Sequence, residues 1–178
     1  MHAFSVVAIH DDFSAGIRAQ EALKWLEHSL GSDLEIRSLC WSFHKLERVD
    51  LRAMTIREAA AADVIIVAAD DTQHLPEHIS RWLDASLQNS KGGHVVLVAL
   101  HDEGEDAACD PEGALCSQLR HVAGLRCTQF MCNKDFDERL DRHHALRVID
   151  QKREASLHSH RPLELYFHSA AGPGGINE

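Results

Sequence analysis

Apolar and polar positions alternate along the chain in blocks that predict strands and helices in turn. Residues 64–69 form a continuous apolar run, β-branched at four of its six positions, which is typical of a strand buried on both faces of a sheet. Two aspartates follow it, and Pro76 then suits the first turn of a helix, since that turn does not need its missing N–H. A strand, a polar turn and a helix in this order predict one half of a β-α-β unit, whose turn is where ligands bind.

The same order of elements recurs along most of the sequence. Four further strands are predicted from apolar runs, at residues 4–9, 34–43, 94–100 and 125–132. Helices are predicted where apolar residues recur at spacings of three and four, at residues 15–30, 51–62, 76–89, 111–123 and 135–152. Ser14, Asp50 and Asp110 are the predicted N-caps, because their side chains can accept a hydrogen bond from a helix's first N–H groups. Gly124 is predicted to end the fourth helix.

Five strands alternating with five helices predict an α/β fold, a three-layer α/β/α sandwich around a five-stranded parallel sheet. Right-handed crossovers leave few topologies. Strands 1, 3 and 4 are apolar enough for central positions, whereas polar residues interrupt strands 2 and 5, so the predicted order is 2-1-3-4-5, that of flavodoxin-like folds. Residues 1–154 are predicted to form this domain, and residues 155–178 a tail that packs in part and has a flexible end.

The overall charge argues against two classes of binding partner. The 178 residues have a formal net charge of −10, which argues against nucleic acid and anionic membranes, because both require a basic face. The sequence does not begin with the basic stretch and apolar core of a signal peptide, so none is predicted. No apolar run approaches the roughly 20 residues of a membrane span. Five cysteines without a Cys-x-x-Cys pair predict reduced thiols in a cytoplasmic protein.

Histidine is unusually frequent, with 14 residues whose full protonation would change the formal charge from −10 to +4. We therefore predict that solubility and self-association change between about pH 5 and 7. Trp82, predicted at the border of its helix's apolar stripe, and the apolar segment 162–167 are the predicted contacts for a protein partner or for self-association.

Parallel strands place the turns that follow strands 1, 3, 4 and 5 at one edge of the sheet, here called the carboxyl edge. The polar residues predicted there are His10, Asp11, Asp12, Ser14, Asp70, Asp71, Thr72, His101 and Lys134. Clustered carboxylates repel one another unless solvent, a cation or a basic side chain offsets their charge. One interpretation is that Asp11, Asp12 and Asp70 bind a divalent cation such as Mg²⁺. The alternative is that these acids cap helices and face water.

The acidic pair Asp11 and Asp12, an aspartate at position 70 or 71 and Lys134 resemble the receiver domains of bacterial response regulators. This resemblance implies Mg²⁺ on the acidic pair, a phosphoryl group on the aspartate after strand 3, and a lysine that contacts the phosphate. Strand 4 ends without the serine or threonine of that family. The sequence therefore predicts a receiver-like signalling or interaction module without enzymatic activity.

Residues 62–100, with Pro76 at a helix start and Trp82 within that helix, resemble flavodoxin-like NAD(P)H-dependent FMN reductases. This second resemblance implies FMN against the turn after strand 3 and an oxidoreductase activity. The family's phosphate-binding loop would follow strand 1, where Asp11 and Asp12 repel a phosphate. A flavin-dependent oxidoreductase is thus the alternative function.

Overall fold

The computed structural model describes residues 4–30, 35–70, 74–90, 95–101, 113–126, 128–132 and 151. Its strands are β1 (Phe4–His10), β2 (Ile36–Ser42), β3 (Val64–Ala68), β4 (Val96–Leu100) and β5 (Gln129–Cys132). Its α-helices are α1 (Phe13–Ser29), α2 (Val49–Ala60), α3 (Glu77–Gln88) and α4 (Ala114–Leu125). A 3₁₀ helix, Phe43–Glu47, lies between β2 and α2.

The sheet confirms the predicted fold class and strand order. All five strands pair in parallel in the order β2-β1-β3-β4-β5. Ile65 in the middle of β3 pairs with Val7 on one side and with Leu97 on the other. Every residue of β3 is buried, since a strand between two neighbours and two helical layers has no face in water.

Helices cover both faces of the sheet and make two apolar cores. On one face, α1 places Ala15, Ala19 and Leu23 against β1 and β3. The other face is covered by α2, α3, α4 and the 3₁₀ helix. The fifth predicted helix, 135–152, lies outside the described residues except for Gln151. The predicted boundary between the domain and the tail, at residue 154, also lies outside them.

Trp82 occupies the core and not the border of its helix's apolar stripe. Its side chain is fully buried, and its indole N–H donates a hydrogen bond of 2.9 Å to Thr55 Oγ1. The expectation that Trp82 offers a partner surface is therefore wrong. A buried indole needs an acceptor for its N–H, and Thr55 in the neighbouring helix α2 supplies one that helical periodicity alone does not reveal.

The start of α2 differs from its prediction. The helix begins at Val49, with Arg48 as an N-cap whose side chain makes no capping bond. Asp50, the predicted N-cap, lies instead in the first turn, where a carboxylate interacts favourably with the positive end of the helix dipole. The 3₁₀ helix takes up most of the predicted polar connection before it.

The end of α4 and the start of β5 also differ from prediction. α4 continues through Gly124 to Leu125, so this glycine does not end the helix. β5 consequently begins at Gln129 and not at 125. The predicted cap Asp110 lies outside the described residues. In the part of the chain that the structure covers, no helix is both long and apolar enough to cross a membrane.

Candidate functional site at the carboxyl edge

Asp11 connects the turns after β1 and β3. Its backbone N–H donates to Ala68 O over 3.2 Å, and its Oδ2 accepts the N–H of Asp70 at 3.2 Å. Its Oδ1 accepts the N–H of Asp12 at 2.6 Å. These bonds hold two acidic residues, 59 positions apart in sequence, in adjacent turns at the carboxyl edge.

Asp12 is the N-cap of α1. Its Oδ1 accepts the N–H of Ala15 at 2.8 Å, which satisfies one of the N–H groups that a helix leaves free at its start. The prediction of Ser14 as the cap is therefore wrong. The turn after β1 is only two residues long, so Ser14 already lies inside the helix, where its Oγ accepts a hydrogen bond of 3.1 Å from Arg18.

His10 is packed over the start of α1. Its Nδ1 lies 2.9 Å from the carbonyl oxygen of Asp12, and a Cβ placed on Gly16 would lie 3.0 Å from its Cε1. Gly16 is buried in the helix and has room for the imidazole because it lacks a side chain. Sequence reasoning missed Gly16, although an isolated glycine within a predicted helix can indicate close packing against another residue.

His101 follows β4 at the same edge and is buried, with 4% of its surface exposed. The end of β4 just before it is bonded to the segment that follows β3, because the N–H of Ala69 donates to Leu100 O over 3.0 Å. Asp11, Asp12 and Asp70 are by contrast exposed. The edge therefore combines solvent-facing carboxylates with a buried imidazole. The predicted residues Asp71, Thr72 and Lys134 lie outside the described residues.

The carboxylates of Asp11 and Asp12 already accept hydrogen bonds from backbone N–H groups. Among the residues that the structure describes, no three His, Cys, Asp or Glu side chains are grouped to hold a metal ion. A carboxylate has about four lone-pair positions, so each Asp11 oxygen keeps accepting capacity beyond the bond described. Cation binding by Asp11, Asp12 and Asp70 thus stays a prediction.

Comparison with known proteins identifies no family. No protein-family model matches the sequence, and no curated protein matches it. Among solved structures, the chain is similar to one described as the apo form of an NADH:FMN oxidoreductase (EMOB). The two share 18% sequence identity, the match covers 86% of this chain and 90% of the other, and the TM-score is 0.42. Similarity at this level carries no argument about function.

Proposed function

We propose that the protein is a non-enzymatic, receiver-like signalling or interaction module whose carboxyl edge binds a divalent cation such as Mg²⁺. The observation that carries the proposal is the 3.2 Å hydrogen bond from the Asp70 N–H to Asp11 Oδ2. It places acidic residues from two turns next to each other, and oxygen ligands from adjacent turns are what such a cation prefers. The module would act in the cytoplasm on a protein partner or on a second copy of itself.

Electrostatics supports a cation at this edge. Asp11, Asp12 and Asp70 are exposed carboxylates in a chain of net charge −10. A divalent ion among them would offset their mutual repulsion without rearranging the helix cap, since Asp12 has a second oxygen beyond the one that binds Ala15 N–H. Binding would change the local charge, which is how a cation can alter the affinity of such a surface for a partner.

The thiol of Cys40, within strand β2, does not change this proposal. Cys40 in β2 is half-buried, and burial raises the pKa of its thiol, an effect that nearby Lys45 only partly opposes. The thiol therefore stays protonated at neutral pH, whereas the thiolate is the reactive form. This argues against covalent catalysis by Cys40.

Cation binding is tested by isothermal titration calorimetry with Mg²⁺ and Mn²⁺. We expect saturable binding by the wild type and a loss of affinity of roughly tenfold or more in Asp11→Asn and Asp12→Asn, because each removes one ligand charge. Asparagine keeps an N-cap acceptor at position 12, so the fold is retained. Glu21→Gln, an exposed residue of α1, is the control with the same charge change. Absence of binding, or equal weakening in Glu21→Gln, contradicts the proposal.

The non-enzymatic part is tested with a small phosphoryl donor, acetyl phosphate, in the presence of Mg²⁺. We expect no stable phosphorylation, measured by intact mass. Labelling that disappears in Asp70→Asn or Asp71→Asn would show an active receiver and would overturn the non-enzymatic proposal while leaving the cation site intact.

The flavin alternative makes an opposite prediction at the same edge. Asp12 already occupies the start of α1, where the phosphate of FMN would need free N–H groups and no negative charge. We therefore expect a colourless protein that does not quench FMN fluorescence at micromolar concentration. Quenching together with NAD(P)H oxidation would replace our proposal with a flavin-dependent oxidoreductase.

A further inference from the structure

Two large apolar side chains are exposed at the start of α1, directly after the acidic turn that follows β1. Phe13 has 83% of its surface exposed and Ile17 has 43%. Residues four apart on a helix are neighbours on its surface, so the two side chains form one apolar area, here called the Phe13 patch. The other large apolar residues that are exposed in the described part of the chain, Val49 and Leu125, lie apart from it in α2 and α4.

The Phe13 patch is not needed to pack α1 against the sheet. The helix buries a separate apolar side against β1 and β3. A helix surface that faces water is normally polar, and the exposed residues that follow the patch on this side of α1, at positions 20, 21 and 24, are polar. Apolar surface that is left in water and bordered by charge is typical of a site for a partner.

Exposed carboxylates flank the Phe13 patch. Asp11 and Asp12 directly precede Phe13 and are exposed. Asp70, also exposed, is held beside Asp11 by the 3.2 Å hydrogen bond from its N–H to Asp11 Oδ2. One helical turn after the patch, Glu21 is a further exposed carboxylate. The patch therefore has acidic groups both before and after it along the chain.

Basic groups near the patch offset this charge only in part. Arg18 is half-buried, and its Nη1 donates a hydrogen bond of 3.1 Å to Ser14 Oγ. Lys24 lies about two helical turns beyond Ile17. The surroundings of the patch thus share the negative sign of the whole chain, whose net charge is −10. A negative potential attracts and orients a positively charged partner.

A second copy of the chain fits this surface poorly. In a symmetric dimer the same patch on both copies would meet. Such a contact would bring Asp11 and Asp12 of one copy close to those of the other, and like charges that face each other weaken an interface. An anionic membrane or a nucleic acid meets the same repulsion. A protein segment with basic residues around an apolar centre has the complementary pattern.

We propose that the Phe13 patch and the carboxylates beside it bind a segment of a partner protein that carries apolar residues flanked by lysine or arginine. Phe13 is the anchor, since a large aromatic side chain at the centre of an interface contributes much of its binding energy. Asp11, Asp12 and Glu21 pair with the basic residues and orient the segment. The inference rests on the proposed interaction role of the protein, but it does not require the cation.

The test measures the binding of a short fluorescent peptide of lysine and leucine to the full-length protein in EDTA, by fluorescence anisotropy. One control peptide has glutamate in place of lysine, and the other has serine in place of leucine. We expect the lysine–leucine peptide to bind saturably, with a dissociation constant of about 100 μM or below. Both control peptides should bind at least about tenfold more weakly, because each lacks one half of the complementary pattern.

A matched pair of variants separates the Phe13 patch from other exposed apolar residues. Phe13→Ser removes the anchor and should weaken peptide binding about tenfold, because the burial of a phenylalanine side chain contributes at least that much. Leu125→Ser removes an apolar side chain that is 68% exposed in α4 and should leave peptide binding unchanged. Both side chains face water, so both variants should keep the wild-type free energy of unfolding in urea.

A second pair of variants tests the charge. Asp12→Asn removes a carboxylate next to Phe13 and keeps a cap for α1. We expect it to weaken peptide binding about fivefold, the size of one charge interaction near a surface. Glu35→Gln makes the same charge change just before β2, at the opposite edge of the sheet, and should have no effect.

No saturable binding, equal binding of either control peptide, or equal weakening by Leu125→Ser or Glu35→Gln overturns the proposal. A wild-type dimer that Phe13→Ser converts to a monomer in sizing chromatography would make the patch an interface between copies and would overturn it too. EDTA removes divalent cations, so these outcomes do not depend on the cation site. A protein that binds Mg²⁺ but not the peptide contradicts this inference alone, and one that binds the peptide but not Mg²⁺ contradicts only the cation proposal.

Discussion

At the scale of single residues, buried polar side chains link elements that are distant in sequence. Thr55 Oγ1 in α2 accepts the N–H of Trp82 in α3 and donates to the carbonyl of Arg52. Asp63, just before β3, likewise links two strands, because its Oδ2 accepts the N–H of Ser5 in β1 at 2.8 Å. Such bonds matter mainly because removing one partner leaves the other buried without a replacement.

Thr55→Val is expected to destabilise the protein, because it keeps the side chain's shape but removes the acceptor of the Trp82 indole. A buried donor left without an acceptor costs about 1–3 kcal/mol. The measurement is the free energy of unfolding in urea, with the slope checked to be unchanged.

The control for this prediction is Thr55→Ser, which loses a methyl group and keeps the hydroxyl. The loss of one buried methyl costs roughly 1 kcal/mol. If Thr55→Val is no more destabilising than Thr55→Ser, the hydrogen bond to Trp82 does not contribute to stability.

At the scale of elements, the two glycines within described helices have opposite surroundings. A Cβ on Gly16 in α1 would lie 3.0 Å from His10 Cε1 and 3.1 Å from its Nδ1. A Cβ on Gly124 in α4 would meet nothing within 4 Å. The helix gains from alanine in both places, since glycine is a poor helix former. Only at Gly16 would the added methyl group also disturb the packing of another residue, His10.

Gly124→Ala is therefore expected to raise the free energy of unfolding by up to about 1 kcal/mol. Gly16→Ala should instead lower it, because the new methyl group displaces the His10 imidazole and weakens its bond to the carbonyl of Asp12. Urea denaturation of both variants measures whether each substitution raises or lowers the free energy of unfolding.

A His10→Ala background separates the two effects at position 16. With the imidazole removed, Gly16→Ala should become stabilising, as at Gly124. If it stays destabilising there, contact with His10 is not the reason that position 16 is a glycine.

At the scale of the whole molecule, charge varies strongly with pH. The formal charge is −10 with neutral histidines and +4 with all 14 protonated, and the isoelectric point from the sequence is about 5.7. Individual ion pairs change this dependence of charge on pH only a little. Arg48 lowers the pKa of Asp50, so this pair stabilises the fold above the ordinary pKa of a carboxyl and loses that effect as pH falls through the lowered value. Because the pair is exposed, its contribution is small.

We expect solubility to be lowest near pH 5.7, the isoelectric point, and self-association to be greatest there, because net charge keeps proteins apart. Light scattering across a pH series measures both. A variant with His28→Gln, His44→Gln and His121→Gln, three exposed positions, should shift the scattering maximum to lower pH.

The opposite shift is expected when histidines are added at the exposed positions Gln20 and Gln88. Scattering that is insensitive to both sets of substitutions would show that charge does not control the association of this protein.

The hydrophobic pattern by itself determined the parallel sheet, its strand order and the meeting of acidic turns at one edge. These follow from the sequence because a strand buried on both faces must be apolar throughout, as 64–68 is, and because parallel strands end at the same edge. Asp11, Asp12 and Asp70 could be assigned to that edge from their position after strands alone.

Only the tertiary structure decided which atoms meet. The cap of α1 is Asp12 and not Ser14 because the turn after β1 is two residues long, a length that propensities do not specify. The burial of Trp82 depends on a hydroxyl in another helix, and the connection before α2 is a 3₁₀ helix that no periodicity predicted. Each of these involves segments far apart or an element's end, where local sequence preferences are weakest and packing decides.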